Sequence, residues 1–135
     1  MTQENKDLLL KDLCARLPYN VICQVEFRES GKYQSKSMFL SGVFTDEAYF
    51  TTESGSIYSN EYKPYLFPLS SMTEEQEKEY NSLNCYELGL FPHTEEALDY
   101  LIKNHFDYRD LIPKGLAIDA TGLNIYNCMV MKLKR

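Results

Sequence analysis

The chain reads as one α+β domain over residues 1–135: an N-terminal helix, a small antiparallel sheet or SH3-like barrel of four to five strands, then two or three C-terminal helices. Three observations predict this class. Leucines repeat every fourth position in residues 4–17, two-residue alternation takes over in residues 21–62, and helical spacing returns after residue 70. A chain of this length buries roughly two-thirds of its unfolded surface, enough for a core without metals or disulfides. With 44% hydrophobic and 25% charged residues, 6 Gly and 5 Pro, it is neither collagen-like, low-complexity nor largely disordered.

In the first helix Leu9, Leu13 and Leu17, flanked by Leu10 and Cys14, form one apolar stripe. Glu4 and Asp7 near its start and Arg16 near its end complement the macrodipole, and Pro18 stops it. Val21, Cys23, Val25 and Phe27 then face one way, and Gln24, Glu26 and Arg28 the other, with Ile22 out of pattern. Glu29-Ser30-Gly31-Lys32 is a turn. A second strand falls within residues 33–44, where Gly42 marks a bulge or bend. Residues 47–53 make a third strand and, after Ser54-Gly55, residues 56–62 a fourth. Tyr65-Leu66-Phe67 lies between Pro64 and Pro68 and is expected to be at most a short edge strand, because proline cannot donate to a ladder.

Thr73 and Gln76 have capping-box spacing for a surface helix reaching Leu83. A second helix is expected over residues 95–105, with Leu98, Leu101, Ile102 and His105 on one side. Asp107 is placed to cap a last short turn ended by Pro113 and Gly115. Residues 84–91 and 116–131 alternate weakly, as strand or loop, and the apolar tail from Leu123 to Met131 is expected to return to the sheet.

The formal charge of −6 opposes sequence-independent binding to phosphate backbones or anionic lipid. Leu8-Leu9-Leu10 is followed at once by Lys11 and Asp12, and no apolar run reaches signal-peptide or membrane-span length. The expected location is therefore the cytoplasm, with no membrane partner. Cys14, Cys23, Cys85 and Cys128 show no CxxC spacing, so they read as packing thiols and neither a metal nor a cofactor is expected.

The most function-like feature is aromatic. Tyr49, Phe50, Tyr58, Tyr62, Tyr65 and Phe67 fall within nineteen residues of a chain holding eleven tyrosines and no tryptophan. Tyrosine joins a large contact area to a polar tip, which suits a recognition face. Tyr58, Tyr62, Tyr65 and Phe67 are the candidate contact patch for a protein partner; the competing reading makes the same rings core and strand framework. Nucleic acid is disfavoured there, since Lys63 stands against Glu53 and Glu61. No catalytic residue set, phosphate loop or GxGxxG is present. Two alternatives stay open: a small enzyme or metal site using His93 and His105, and an acidic DNA mimic or nucleic-acid binder.

Two longer blocks carry a resemblance: Lys63-Pro64-Tyr65-Leu66-Phe67-Pro68-Leu69-Ser70-Ser71-Met72-Thr73-Glu74-Glu75 and His105-Phe106-Asp107-Tyr108-Arg109-Asp110-Leu111-Ile112-Pro113-Lys114-Gly115-Leu116-Ala117. With Lys11-Asp12-Leu13-Cys14-Ala15-Arg16-Leu17-Pro18-Tyr19, they resemble recurring blocks of small uncharacterised proteins in gut Bacteroides genomes, including prophage-like and mobile regions. The resemblance implies a bacterial cytoplasm or phage-infected cell; the aromatic strands, the acidic surface and the lack of a catalytic set point to a non-enzymatic interaction or accessory protein of a phage or mobile element. The resemblance brings no activity, cofactor or catalytic residue with it, and the tail after Thr121 departs from it.

Overall fold

The computed structural model describes residues 2–52, 55–83 and 94–127. Helix α1 (Gln3–Arg16) begins where the Thr2 side chain accepts from the Asn5 N–H, and a 3-10 turn over Leu17–Tyr19 ends it at Pro18. Asn20, in the left-handed region at φ 56°, redirects the chain into β1 (Ile22–Glu29). Ser30 and Gly31 at φ 53° and 78° form a two-residue hairpin turn of the kind whose twist matches the strands. β2 (Lys32–Val43), β3 (Ala48–Thr52) and β4 (Gly55–Ser59) follow as an antiparallel meander, with the register shift of a bulge between Leu40 and Gly42. β5 (Glu61–Pro68) crosses to the far side of β1 and pairs with it antiparallel.

Helix α2 (Glu74–Leu83) lies on the surface with no buried residue, and its capping box forms: Gln76 N–H donates to Thr73 Oγ1, and Thr73 N–H to Gln76 Oε1. Helix α3 (Glu95–Lys103) is capped by Thr94 and buries Ala97, Leu101 and Ile102. β6 (Phe106–Asp107) and β7 (Ile118–Asp119) then pair in parallel with the end of β5. Between them both Asp107 carboxylate oxygens accept backbone N–H bonds, from Leu111 and Ile112, each at 2.9 Å. That is the capped turn expected before Pro113.

The ladder order β4-β3-β2-β1-β5-β6 has two ends, so the sheet is open and mixed, without SH3-like closure. It is nonetheless curled. A single residue, Asn60, joins β4 at one edge to β5 beside β1, and Ser59 Oγ ties this corner by donating to Glu26 O at 2.6 Å. Two cores flank the sheet. On the α1 side Leu9, Leu13, Val21, Cys23, Val25, Leu40, Phe50 and Leu66 pack together. On the other, Ile22, Phe39, Tyr65 and Ala120 pack with Phe67 and Tyr126, which explains why Ile22 breaks the alternation.

Several expectations need correction. The Tyr65-Leu66-Phe67 piece is no short edge strand: it belongs to an eight-residue strand inside the sheet. Pro64 is tolerated because its partner Cys23 directs its backbone groups toward β2 and asks nothing of β5. The α1 stripe is rotated, so that Cys14 is exposed while Asp12 and Arg16 are buried. Residues 125–127 are helical rather than returning as a strand. Residues 84–91, Cys85, His93 and Cys128 fall outside the described residues. No described helix is long and apolar enough to cross a membrane.

Candidate interaction surface

β5 splits Tyr62, Tyr65 and Phe67 between its two faces, while Tyr58 stands on β4. Tyr62 packs inward on Phe50, with ring centroids 5.2 Å apart. Tyr65, one face over, is buried at 8% exposure, and half-buried Phe67 contacts Phe106 and Tyr126. Tyr58 alone among the four is well exposed, at 55%. Its neighbours are rings outside the predicted quartet: Tyr49 with centroids 4.6 Å away and Phe44, itself 51% exposed, at 5.9 Å. The Tyr49↔Tyr58 register pairs the first two across β3 and β4, while Phe44 follows the end of β2, just past the bulge at Gly42. A cross-strand aromatic pair beside a bulge is the signal that marks this cluster.

Beside Tyr58 a groove of about 370 Å³ separates β4 from β1. β1 pairs with β5 only as far as Glu26↔Glu61, so Phe27 and Arg28 line one wall while Ile57 and Tyr58 line the other. At the corner, Glu26 and Glu61 lie directly opposite each other and the Tyr33 hydroxyl reaches both carboxylates. Those bonds to two acceptors hold the Tyr33 phenol in its protonated form. The single hydroxyl hydrogen serves one carboxylate at a time. A larger cavity of about 740 Å³, bounded by Lys6 and Leu10 of α1 and by Asp46, meets the groove at Asn60 and Glu61.

His105 sits far from this surface, at φ 65°, with its ring stacked on Tyr126 at 3.9 Å and 10°. Burial, aided by the nearby Arg16 charge, lowers its pKa to about 4, so the imidazole is neutral at pH 7. Its Nδ1 is buried without a hydrogen-bond partner. The Tyr126 hydroxyl accepts from Ile22 N–H and donates to Tyr65 O, filling the next rung where the β1–β5 ladder stops at Cys23↔Pro64. Burial pushes that phenol far above the ordinary tyrosine range. Under α1 the Asp12 carboxylate receives Arg16 Nε at 2.6 Å, and Arg16 Nη2 also donates to Phe106 O at 2.6 Å. These groups hold the fold together. Among the described residues no group of three or more His, Cys, Asp or Glu side chains is gathered to hold a metal ion.

Compared with known proteins, the chain matches no family model, no curated protein and no solved structure.

Proposed function

We propose that the chain is a non-enzymatic protein-interaction module that meets its partner through the Phe44, Tyr49 and Tyr58 rings. The observation supporting this reading is the contact of Tyr49 and Tyr58 on two adjacent strands with Phe44 in the connection after β2, Phe44 and Tyr58 each being more than half exposed. Exposed aromatics on a rigid scaffold give large contact area at small entropic loss, which is how interface anchors work. Of the quartet Tyr58, Tyr62, Tyr65 and Phe67, Tyr58 lies in this surface, whereas Tyr65 is buried and Tyr62 and Phe67 are half-buried against neighbouring rings. The acidic surface favours a protein partner over a nucleic-acid or membrane one. The resemblance to small proteins of Bacteroides prophage-like regions supports a cytoplasmic accessory role in a bacterial or phage-infected cell.

Affinity capture from cells that carry the gene tests this, comparing the native chain with Phe44→Ala/Tyr58→Ala. The native chain is expected to retain a partner that the double variant loses, while both unfold at closely similar temperatures. Equal capture by both overturns the assignment of the surface.

A further inference from the structure

We infer that the groove between β1 and β4 accepts one extended segment of the partner protein as an added β-strand. The inference rests on the protein-interaction reading above and adds the partner's chemistry. Leu40 N–H donates to Val21 O, so odd-numbered residues of β1 bond toward β2 and even-numbered ones face the other edge. Ile22 N–H meets Tyr126 there, and Gln24 and Glu26 sit opposite Lys63 and Glu61, which leaves Arg28 facing the groove beyond the last β5 pair. Phe44 N–H donates to Glu47 O, so alternate residues of β3 bond toward β2 and Ala48, Phe50 and Thr52 bond toward Gly55, Ile57 and Ser59. The N–H and C=O groups of Ser56 and Tyr58 therefore point away from β3, those of Tyr58 at the groove and those of Ser56 on the β4 edge that continues from it.

Two strand edges thus look at each other across one gap, closed at the Ser59–Glu26 corner and lengthening toward Gly55. Edge strands are commonly guarded by charge, proline or a bulge; Gly55-Ser56-Ile57-Tyr58-Ser59 carries none of these. The inward side chains facing the gap, Phe27 and Ile57, are only half-buried, whereas Val25 and Phe50 one step away are fully buried. Among the described residues the core is therefore one strand short at this end. Main-chain addition at a free edge is an established route to peptide recognition. Here it fixes the occupant's pattern: apolar residues at alternate positions over Phe27 and Ile57. An outward lysine or arginine fits beside Glu26 and Glu61, whose two carboxylates share one tyrosine proton. β4 is five residues long, so the occupant needs about five residues to match it.

The test uses the full chain as bait for a phage-displayed random heptapeptide library, followed by synthesis of the selected peptides. Selected sequences are expected to alternate apolar residues with at least one basic residue. On binding, amide exchange at Arg28, Ser56 and Tyr58 should slow tenfold or more, while Ile57, already bonded to β3, changes little. Ser56→Pro removes an outward N–H from an edge strand that tolerates proline, and should weaken binding tenfold or more with Tyr58 intact. Tyr58→Ala keeps the N–H and should weaken binding less. Binding lost in Tyr58→Ala but kept in Ser56→Pro overturns strand addition and leaves the aromatic surface standing. No selected peptide, or peptides without alternation, overturns it too. A native chain that dimerises with Ser56 and Tyr58 already protected assigns the groove to a second copy and overturns the partner strand.

Discussion

Asp12→Ala removes the carboxylate from a charge cluster formed by Asp12 and Arg16 of α1 with Arg109. Asp12 and Arg16 are both 0% exposed, four residues apart on the same helix face as Leu9 and Leu13. The carboxylate takes Arg16 Nε at 2.6 Å and Nη2 at 3.3 Å. Arg109 Nε approaches its Oδ1 to 3.3 Å without the alignment to donate a hydrogen bond. With the carboxylate gone, a fully buried guanidinium keeps one neutral acceptor, Phe106 O, and faces a second cation. Breaking a buried pair from one side costs about 3–5 kcal/mol. Against a typical total of about 5–15 kcal/mol this is a large fraction.

A domain of this size loses about 3–4 °C per kcal/mol, so the midpoint should fall by about 10–20 °C. Urea and thermal unfolding of the native and variant chains measure it. Two companions locate the cause. Arg109→Met removes the partly exposed, misaligned cation and should cost under about 1 kcal/mol. Asp12→Leu/Arg16→Met removes both buried charges and should be more stable than Asp12→Ala, short of the native chain by the unpaired Phe106 carbonyl, about 1–3 kcal/mol. An Asp12→Ala loss below about 1 kcal/mol would refute the claim that these charges are desolvated together.

Tyr126→Phe strips the hydroxyl that bridges Ile22 N–H and Tyr65 O, and should destabilise by about 1–3 kcal/mol in chemical unfolding. His105 gives a pH signature: its folded pKa of about 4 lies below the ordinary 6.5, so stability is full above pH 6.5 and declines as pH falls toward 4. The loss reaches about 3 kcal/mol, and His105→Asn, acceptable at a positive φ, should flatten that part of the variant's own profile, so the native-minus-variant difference carries the decline. Asp107→Ala frees the Leu111 and Ile112 N–H groups and should cost about 1–3 kcal/mol, with faster amide exchange at those two positions.

The elements legible in the sequence are those whose pattern is local. Four-residue leucine spacing, the 21–28 alternation, the Thr73–Gln76 box and the Asp107 cap all describe contacts made within a few residues, and each forms. β5 was hidden because Pro64 reads as a strand breaker until its partner is known. Cys23 turns its hydrogen-bonding groups away from that position, a fact of pairing that no local window holds. β6 and β7, at two residues each, are too short to show a period. The Asp12–Arg16 spacing was visible on the Leu9 face and was the available sign of a buried pair. For the aromatics, alternation separates two faces but does not say whether each face is covered. Near Tyr65 both faces of the sheet are covered and that ring is buried, while Tyr62 and Phe67 stay half-buried.

The two ends of β1 therefore have opposite characters. At Ile22 both faces are covered, and a tyrosine hydroxyl completes the rung the neighbouring strand cannot supply. At Arg28 the outer face is open, the inward Phe27 is half-buried, and among the described residues no strand lies beside the edge. Stability is not uniform in such a fold: buried, doubly covered segments open only with the whole domain, while unpaired edges open locally. A protein can leave one end of its sheet unfinished only if the other end carries enough packing to hold the strands in register. The second core beneath Tyr126 supplies that packing, and the carboxylate–guanidinium pair clamps α1 onto the Phe106 segment that continues it. Recognition at the Arg28 end is thus made possible by order at the Ile22 end, so weakening the Tyr126 bridge should erode strand capture some 20 Å away without touching the groove.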